Sequence, residues 1–326
     1  MAPERPPNRT PPKKRVLGRA PAKPEGAPPV AERHRPKRAL GQNFLVDPNL
    51  RRRIVEEVRV DPGGVLLEIG PGLGALTEGL AERVAEVGAT LLLVELDREL
   101  AALQRERYRD RPDLRVIEGD MTEISLRELV EDPSVLSVVG NIPYNVTSPI
   151  LFHLLRSPRP REILLMVQRE VADRILAEPG PGAYGALTVG VRAVATVERV
   201  LQVGAGAFRP RPTVDSTVLR LRPIVPSPLE AGEEEGLREL TRALFQWRRK
   251  QLGKILRDHP DLGVAPARIA PLLAEVGAAE RDRPETVSPE GFVRMARALA
   301  RVRLEALGPR PKGEVPPAPS GGGGGG

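Results

Sequence analysis

Between about residues 40 and 223, apolar runs of strand length alternate with segments whose apolar residues recur at helical spacing. The pattern predicts strands over Val65–Gly70, Leu91–Leu96, Arg115–Asp120, Ser137–Ile142, Glu162–Gln168, Val197–Gly204 and Thr217–Arg222. After the first of these, Leu73, Leu76, Leu80, Val84 and Val87 fall three or four residues apart, which puts them on one face of a helix. Asp47-Pro48 reads as a helix cap with proline at the first helical position, leading into Ile54, Val55 and Val58. Strands that alternate with helices imply a mostly parallel sheet covered on both faces. Only a loop separates the last two strands, so they are expected to pair antiparallel. From about Pro223 the pattern is helical only, with runs over Glu230–Leu256 and Glu290–Leu304. The expected class is therefore α/β, a seven-stranded, mostly parallel sheet followed by a small α-helical C-terminal domain.

Composition narrows the chemistry. The chain has 326 residues and no cysteine, which excludes disulfides, cysteine-ligated zinc and thiol catalysis. His34, His153 and His259 are far apart, so no metal is expected. No apolar run reaches the roughly 18 residues needed to cross a bilayer, and the basic N-terminus lacks an apolar signal core. A cytoplasmic location and no membrane partner are expected. Of the 50 Lys and Arg residues and 43 acids, eleven and three lie within residues 1–38, so the rest of the chain is nearly neutral despite a net charge of +7. That opening stretch also holds ten prolines and reads as a disordered cationic arm, able to bind polyanions only non-specifically. The expected division is an arm over 1–36, a sheet domain over 37–223, a helical domain over 224–304 and a Gly/Pro-rich tail over 305–326.

Candidate chemistry gathers at the carboxyl ends of the expected strands. The first breaks into Gly70-Pro71-Gly72-Leu73-Gly74. Glycines there permit a tight turn and close approach of a ligand. Pro71 removes an amide that a pyrophosphate would need, so a cofactor without phosphate is favoured. The second strand ends Val94-Glu95-Leu96-Asp97, with Glu95 placed to accept from ribose hydroxyls and Asp97 as its competitor; the third ends Gly119-Asp120. The fourth ends Gly140-Asn141-Ile142-Pro143-Tyr144. Adenine's exocyclic nitrogen is a poor nucleophile because its lone pair is delocalised into the ring. A catalyst must accept hydrogen bonds from that amine: Asn141 offers a side-chain carbonyl, and Pro143 holds Ile142 extended, aiming its main-chain carbonyl the same way. Tyr144 is placed to stack on a base taken out of its helix. Phe208 opens the stiff loop Phe208-Arg209-Pro210-Arg211-Pro212 and is a second stacking candidate.

Taken together, Lys37–Val46 (KRALGQNFLV), Leu67–Gly74 (LEIGPGLG), Val94–Asp97 (VELD), Gly119-Asp120, Gly140–Tyr144 (GNIPY), Val167–Val171 (VQREV) and Phe208–Ser216 (FRPRPTVDS) resemble the KsgA family of ribosomal RNA adenine N6-dimethyltransferases. The resemblance spans nearly all of residues 37–304. It implies a Rossmann-like methyltransferase domain and S-adenosylmethionine held by Asn43, Leu45, Gly70, Glu95, Asp120 and Asn141. It also implies a target adenine between Tyr144 and Phe208. Within the superfamily the rival is the macrolide-resistance type, which acts on large-subunit RNA. Pro179–Leu187, Phe245 with Arg248-Arg249-Lys250, and Arg283–Thr286 resemble the small-subunit type instead. The chain departs from the pattern at Trp247, where Gln is usual, and at Gln251-Leu252-Gly253-Lys254.

The resemblance implies dimethylation of two adjacent adenines near the 3′ end of small-subunit ribosomal RNA, within an assembling 30S particle, by a monomeric enzyme. Arg248, Arg249, Lys250 and Lys254 are candidate RNA contacts. If the helical run is unbroken, Lys250, Lys254 and Arg257 share a face; a merely solvated face fits them equally well. Two other classes remain open. One is an RNA-binding assembly or transcription factor that lost catalysis, and the other is a DNA adenine methyltransferase, which shares the Asn-x-Pro-aromatic turn.

Overall fold

The computed structural model describes residues 34–37, 40–230 and 232–306. Most of the expected arm and the tail from residue 307 lie outside the described residues. Seven strands form the main sheet: β2 (Val65–Ile69), β3 (Thr90–Glu95), β4 (Leu114–Glu118), β5 (Leu136–Asn141), β6 (Glu162–Gln168), β7 (Ala195–Val203) and β9 (Ser216–Pro223). Their order is β4-β3-β2-β5-β6-β9-β7. The first five run parallel. β9 is antiparallel to both of its neighbours, as expected where a loop rather than a helix joins the last two strands. Two further short strands, β1 (Phe44–Leu45) and β8 (Phe208–Arg209), pair with each other outside this sheet.

Period-two alternation explains how the sheet is covered. Leu67, Ile69, Leu92, Val94, Val138, Leu165 and Val167 join one apolar cluster, while Leu66, Leu91, Leu93, Val139, Leu164 and Met166 join another. Both faces are thus buried, as a parallel sheet requires. The second cluster takes in Ile54 of α1 (Pro48–Glu57) and Leu80 and Val84 of α2 (Thr77–Val87). Asp47 caps α1 by accepting from the Asn49 and Leu50 amides, so the Asp-Pro signal holds. The face carrying Leu73 through Val87 is helical only from Thr77, because residues 70–76 are consumed by the glycine turn.

Helices α3 (Arg98–Arg107), α4 (Leu126–Leu129), α5 (Thr147–Leu154), α6 (Arg169–Ile175) and α7 (Ala186–Arg192) fall between β3 and β7. After β9 every element is helical: α8 (Glu233–Gln246), α9 (Leu252–Asp258), α10 (Pro266–Glu275) and α11 (Pro289–Ala306). The run expected to be continuous over Glu230–Leu256 breaks after Gln246. The Lys250 amide donates to the Trp247 carbonyl at 2.7 Å, closing a turn, and Gln251 then opens α9. Apolar spacing continues through the break, which is why the pattern alone hides it. Leu237, Leu240 and Leu244 of α8, with Phe292 of α11, belong to the same cluster as one face of the sheet. The helical region therefore shares a core with the sheet rather than having one of its own.

Strand order positions the site. The chain starts at β2, steps outward to β3 and β4, then crosses back to β5 on the other side of β2. The carboxyl ends of β2 and β5, in register at Ile69 and Gly140, flank the switch point where ligands bind in such sheets.

Candidate active site

At that switch point lies a cleft of about 1050 Å³, counting its open mouth, lined by residues from the ends of β2, β3 and β5, by Asp120 and by the strap 40–45. Gly70, Gly72 and Gly74 all have positive φ, at 67°, 58° and 85°, a region that costs an L-residue about 1–2 kcal/mol. A Cβ at Gly72 would also lie 3.1 Å from the Phe44 ring. The turn is glycine-rich because its backbone is left-handed and the strap packs directly on it.

Glu95 is buried and holds the turn. One carboxylate oxygen accepts from the Gly72 amide and the other from the Asp97 amide, each at 2.9 Å. Burial pushes its pKa up, and those two amides pull it back. Each oxygen keeps a lone pair for a ligand hydroxyl. Asp97, the competing candidate, is committed elsewhere. It accepts from Lys37 Nζ at 2.8 Å and Gln42 Nε2 at 2.9 Å and caps α3 (Arg98–Arg107). Burial opposes its ionisation, but these donors win and hold its pKa below the usual carboxylate range. Asp97 latches the strap, and Glu95 faces the cleft. Asp120 also lines the cleft, with one oxygen taken by the Thr122 amide and hydroxyl.

Asn141 ends β5. Its side-chain nitrogen donates to the Asn43 carbonyl at 3.1 Å, which commits the donor side of the amide and leaves Oδ1 as its accepting side. Ile142, Pro143 and Tyr144 follow along the same wall. Ile142's side chain is buried in the core beneath. Half-buried Tyr144 joins its hydroxyl to Ser216 Oγ at 2.8 Å; burial raises its pKa, with the Ser216 contact opposing.

Asn43, Leu45, Gly70, Glu95, Asp120, Asn141, Ile142, Pro143 and Tyr144 all line the one cleft. Leu45's carbonyl is already held by two Arg51 donors. Phe208 does not join them. Its ring is fully buried among Leu45, Met166 and Val218 in the second cluster, because antiparallel pairing sets Phe208 opposite Leu45 and turns both side chains into the core. It anchors the strap instead of facing a base. The basic candidates lie elsewhere too: Arg248, Arg249, Lys250 and Lys254 surround a separate pocket. Lys250 precedes α9, so it does not share a helical face with Lys254 and Arg257, which both pair with Asp258.

Two residues escaped the sequence reading. Glu68 is fully buried in the cleft wall, and its Oε2 has no hydrogen-bond partner among the described residues. Burial pushes its pKa up to about 8, with nearby Thr77 pulling the other way. An acid one residue before the end of an apolar strand was the available signal. Gln104 of α3 donates to the Gly72 carbonyl at 2.7 Å, and only the fold brings it there.

The sequence profile described as Ribosomal RNA adenine dimethylase matches residues 33–269. Two similar proteins carry the name Ribosomal RNA small subunit methyltransferase A. The one from Geobacter metallireducens is 39% identical over 268 residues, 81% of this chain and 96% of its own. The one from Chlorobaculum parvum is 42% identical over 240 residues, 73% and 84% respectively. Among solved structures, a dimethyladenosine transferase from Plasmodium falciparum shares the fold at a TM-score of 0.65 and 23% identity, over 80% of this chain and 98% of that one. The 23S rRNA methyltransferase ErmE aligns at a TM-score of 0.58 and 28% identity, over 79% and 99%.

Proposed function

We propose, from the premise that the chain belongs to the ribosomal RNA adenine dimethylase family, that the turn Asn141–Tyr144 is the site at which it methylates adenine. The chain is an S-adenosylmethionine-dependent ribosomal RNA adenine dimethyltransferase of the small-subunit type. Large-subunit specificity is the weaker reading, since the 23S relative is 28% identical against 39% and 42% for the small-subunit relatives.

The cleft suits this cofactor. Among the described residues its lining holds Glu68, Glu95 and Asp120 but no Lys, Arg or His. With Glu68 holding its proton near neutral pH, Glu95 and Asp120 supply the negative charge, which repels a phosphate and favours a ligand bearing a sulfonium and an ammonium. The left-handed glycines leave the turn bare for close approach. In this reading Glu95 and Asp120, at neighbouring strand ends, accept from the nucleoside's hydroxyls and amine, while Gly70, Asn43 and Leu45 enclose it. When bound, S-adenosylmethionine supplies an electrophilic methyl group.

The chain's own residues then make the amine nucleophilic. Asn141 Oδ1 and the Ile142 carbonyl accept from the two amine hydrogens, which favours pyramidal nitrogen and frees its lone pair. Tyr144 stacks on the base and holds the amine in place. Asn141 is not a base, so the proton lost after methylation passes to solvent. A monomethylated amine retains one hydrogen for these acceptors, which allows a second round, and the dimethylated product has none. The observation that carries this reading is the bond from the Asn141 side chain to the Asn43 carbonyl, which orients the acceptor from inside the cofactor cleft. The substrate in this reading is a pair of adjacent adenines near the 3′ end of the RNA, presented by an assembling 30S particle to a monomeric enzyme. Mass spectrometry of small-subunit RNA from cells with and without the protein tests it. Dimethyladenosine that persists without the protein would overturn it.

A further inference from the structure

A second recess, of about 1060 Å³ counting its open mouth, shares no residue with the cofactor cleft. It lies between α5, α7 and α8. Its floor is aliphatic, made by the buried side chains of Leu155, Val194, Leu229 and Leu237. Two aromatic walls are held from behind. Phe245 stacks on the buried Phe292, with ring centroids 5.6 Å apart and 16° between their planes. Phe152 lies so close to α7 that a Cβ at Gly190 would stand 2.5 Å from its ring. Glycine weakens a helix interior, and here it admits the ring. A preformed apolar pocket between helices, with a few polar groups at its edge, has the build of a small-molecule site.

The polar groups divide into a closed pair and an open set. Buried Arg159 donates to the Leu155 carbonyl, to Ser227 Oγ and to Glu234. Among the described residues Glu234 is the only acid in the lining, and this pairing neutralises it. Arg156, Arg238 and Arg242 line the recess as well. Arg156 is exposed and forms no ion pair among the described residues. Arg238 meets the exposed Glu235 at 3.2 Å, and Arg242 reaches Asp261 only at 3.8 Å. Exposed pairs of this kind are weak, so the guanidiniums stay available to a ligand. An apolar floor under an excess of positive charge selects a hydrocarbon body with one anionic head. A guanidinium fork matches a carboxylate in particular.

We propose that this recess binds a medium-chain alkyl carboxylate, with its chain on the aliphatic floor and its head at Arg156, Arg238 and Arg242. The site is separate from the methylation cleft and does not depend on the ribosomal RNA reading.

The full-length protein would be titrated with hexanoate, octanoate and decanoate, each below its micellar concentration, and with 1-octanol as the neutral control. Amide signals of the protein followed by NMR give both the affinity and the place of binding. Saturable shifts are expected in α5, α7 and α8, with affinity rising roughly tenfold for each two added methylenes. Octanoate should bind more tightly than 1-octanol. Arg156→Ala with Arg238→Ala should weaken octanoate about three- to tenfold and leave 1-octanol within about twofold. Both arginines reach solvent, so this variant spares the core. Ala186→Phe, at an exposed position in the lining, should fill the recess and abolish binding of all four probes. Cofactor affinity should be unchanged in both variants, which serves as the folding control. Affinity that does not rise with chain length, 1-octanol binding as tightly as octanoate, or a folded Ala186→Phe that binds like the parent would each overturn the site.

Discussion

The hydroxyls of Tyr144 and Ser216 lie 2.8 Å apart, joining the end of the Asn141–Tyr144 turn to the first residue of β9. Ser216 is 1% exposed, so it has no water to substitute for Tyr144. The bond fixes the tilt of the aromatic ring proposed to carry the target base. Tyr144→Phe should keep stacking but strand a buried hydroxyl, at a cost of about 1–3 kcal/mol. A several-fold slower single-turnover methylation is expected, with Tyr144→Ala slower still. Ser216→Ala should match Tyr144→Phe, and the double variant should be little worse than either. Fully additive losses in that cycle would show that the two hydroxyls do not act as a unit.

Asn141→Ala should reduce single-turnover methylation of undermethylated small subunits by about 10²–10³ with cofactor saturating. RNA affinity should hardly change, because it arises mainly from phosphate contacts elsewhere. The bond to the Asn43 carbonyl adds a second consequence: the strap loses an anchor, so cofactor affinity should fall modestly too. Near-normal turnover would remove this turn from the chemistry.

Glu95→Gln tests the ribose acceptor. Each carboxylate oxygen receives a backbone amide, and a Gln side chain sets its NH₂ against one of those donors. Cofactor affinity should drop by about ten- to a hundredfold, with RNA binding intact and a measurable fall in Tm. Unchanged affinity by calorimetry would assign the ribose to another acid.

Glu68 makes stability depend on pH in an uncommon direction for a carboxyl. Its pKa rises from 4.5 to about 8 on folding, so the native state holds its proton where the unfolded chain has lost it. The stability this contributes is complete below pH about 4.5 and is lost as pH rises through about 8. Glu68→Gln should remove that dependence. Parent and variant should melt together near pH 4.5, and at pH 9 the variant should melt about 5–10 °C higher. A constant difference across the range would show that Glu68 titrates normally.

Much of this protein follows from local pattern. Alternation along β2, β3, β5 and β6 divides their apolar residues between the two clusters that cover the sheet. Left-handed turns need glycine, so Gly70, Gly72 and Gly74 mark the tight turn after β2 in the sequence itself. Asn141 through Tyr144 are neighbours in the chain and need only a strand end to face one cleft. The choice between Glu95 and Asp97 came from the fold, because it depends on Lys37 and Gln42 arriving from some sixty residues away. Phe208 was misplaced for the same reason: its partner is Leu45, on a strand far back in the sequence. Helical spacing runs on through the break after Gln246, and only the packing of α8 and α9 turns the chain there and sets Trp247 against His259. Local spacing decides which side of an element is apolar, and contacts between distant segments decide what that side meets.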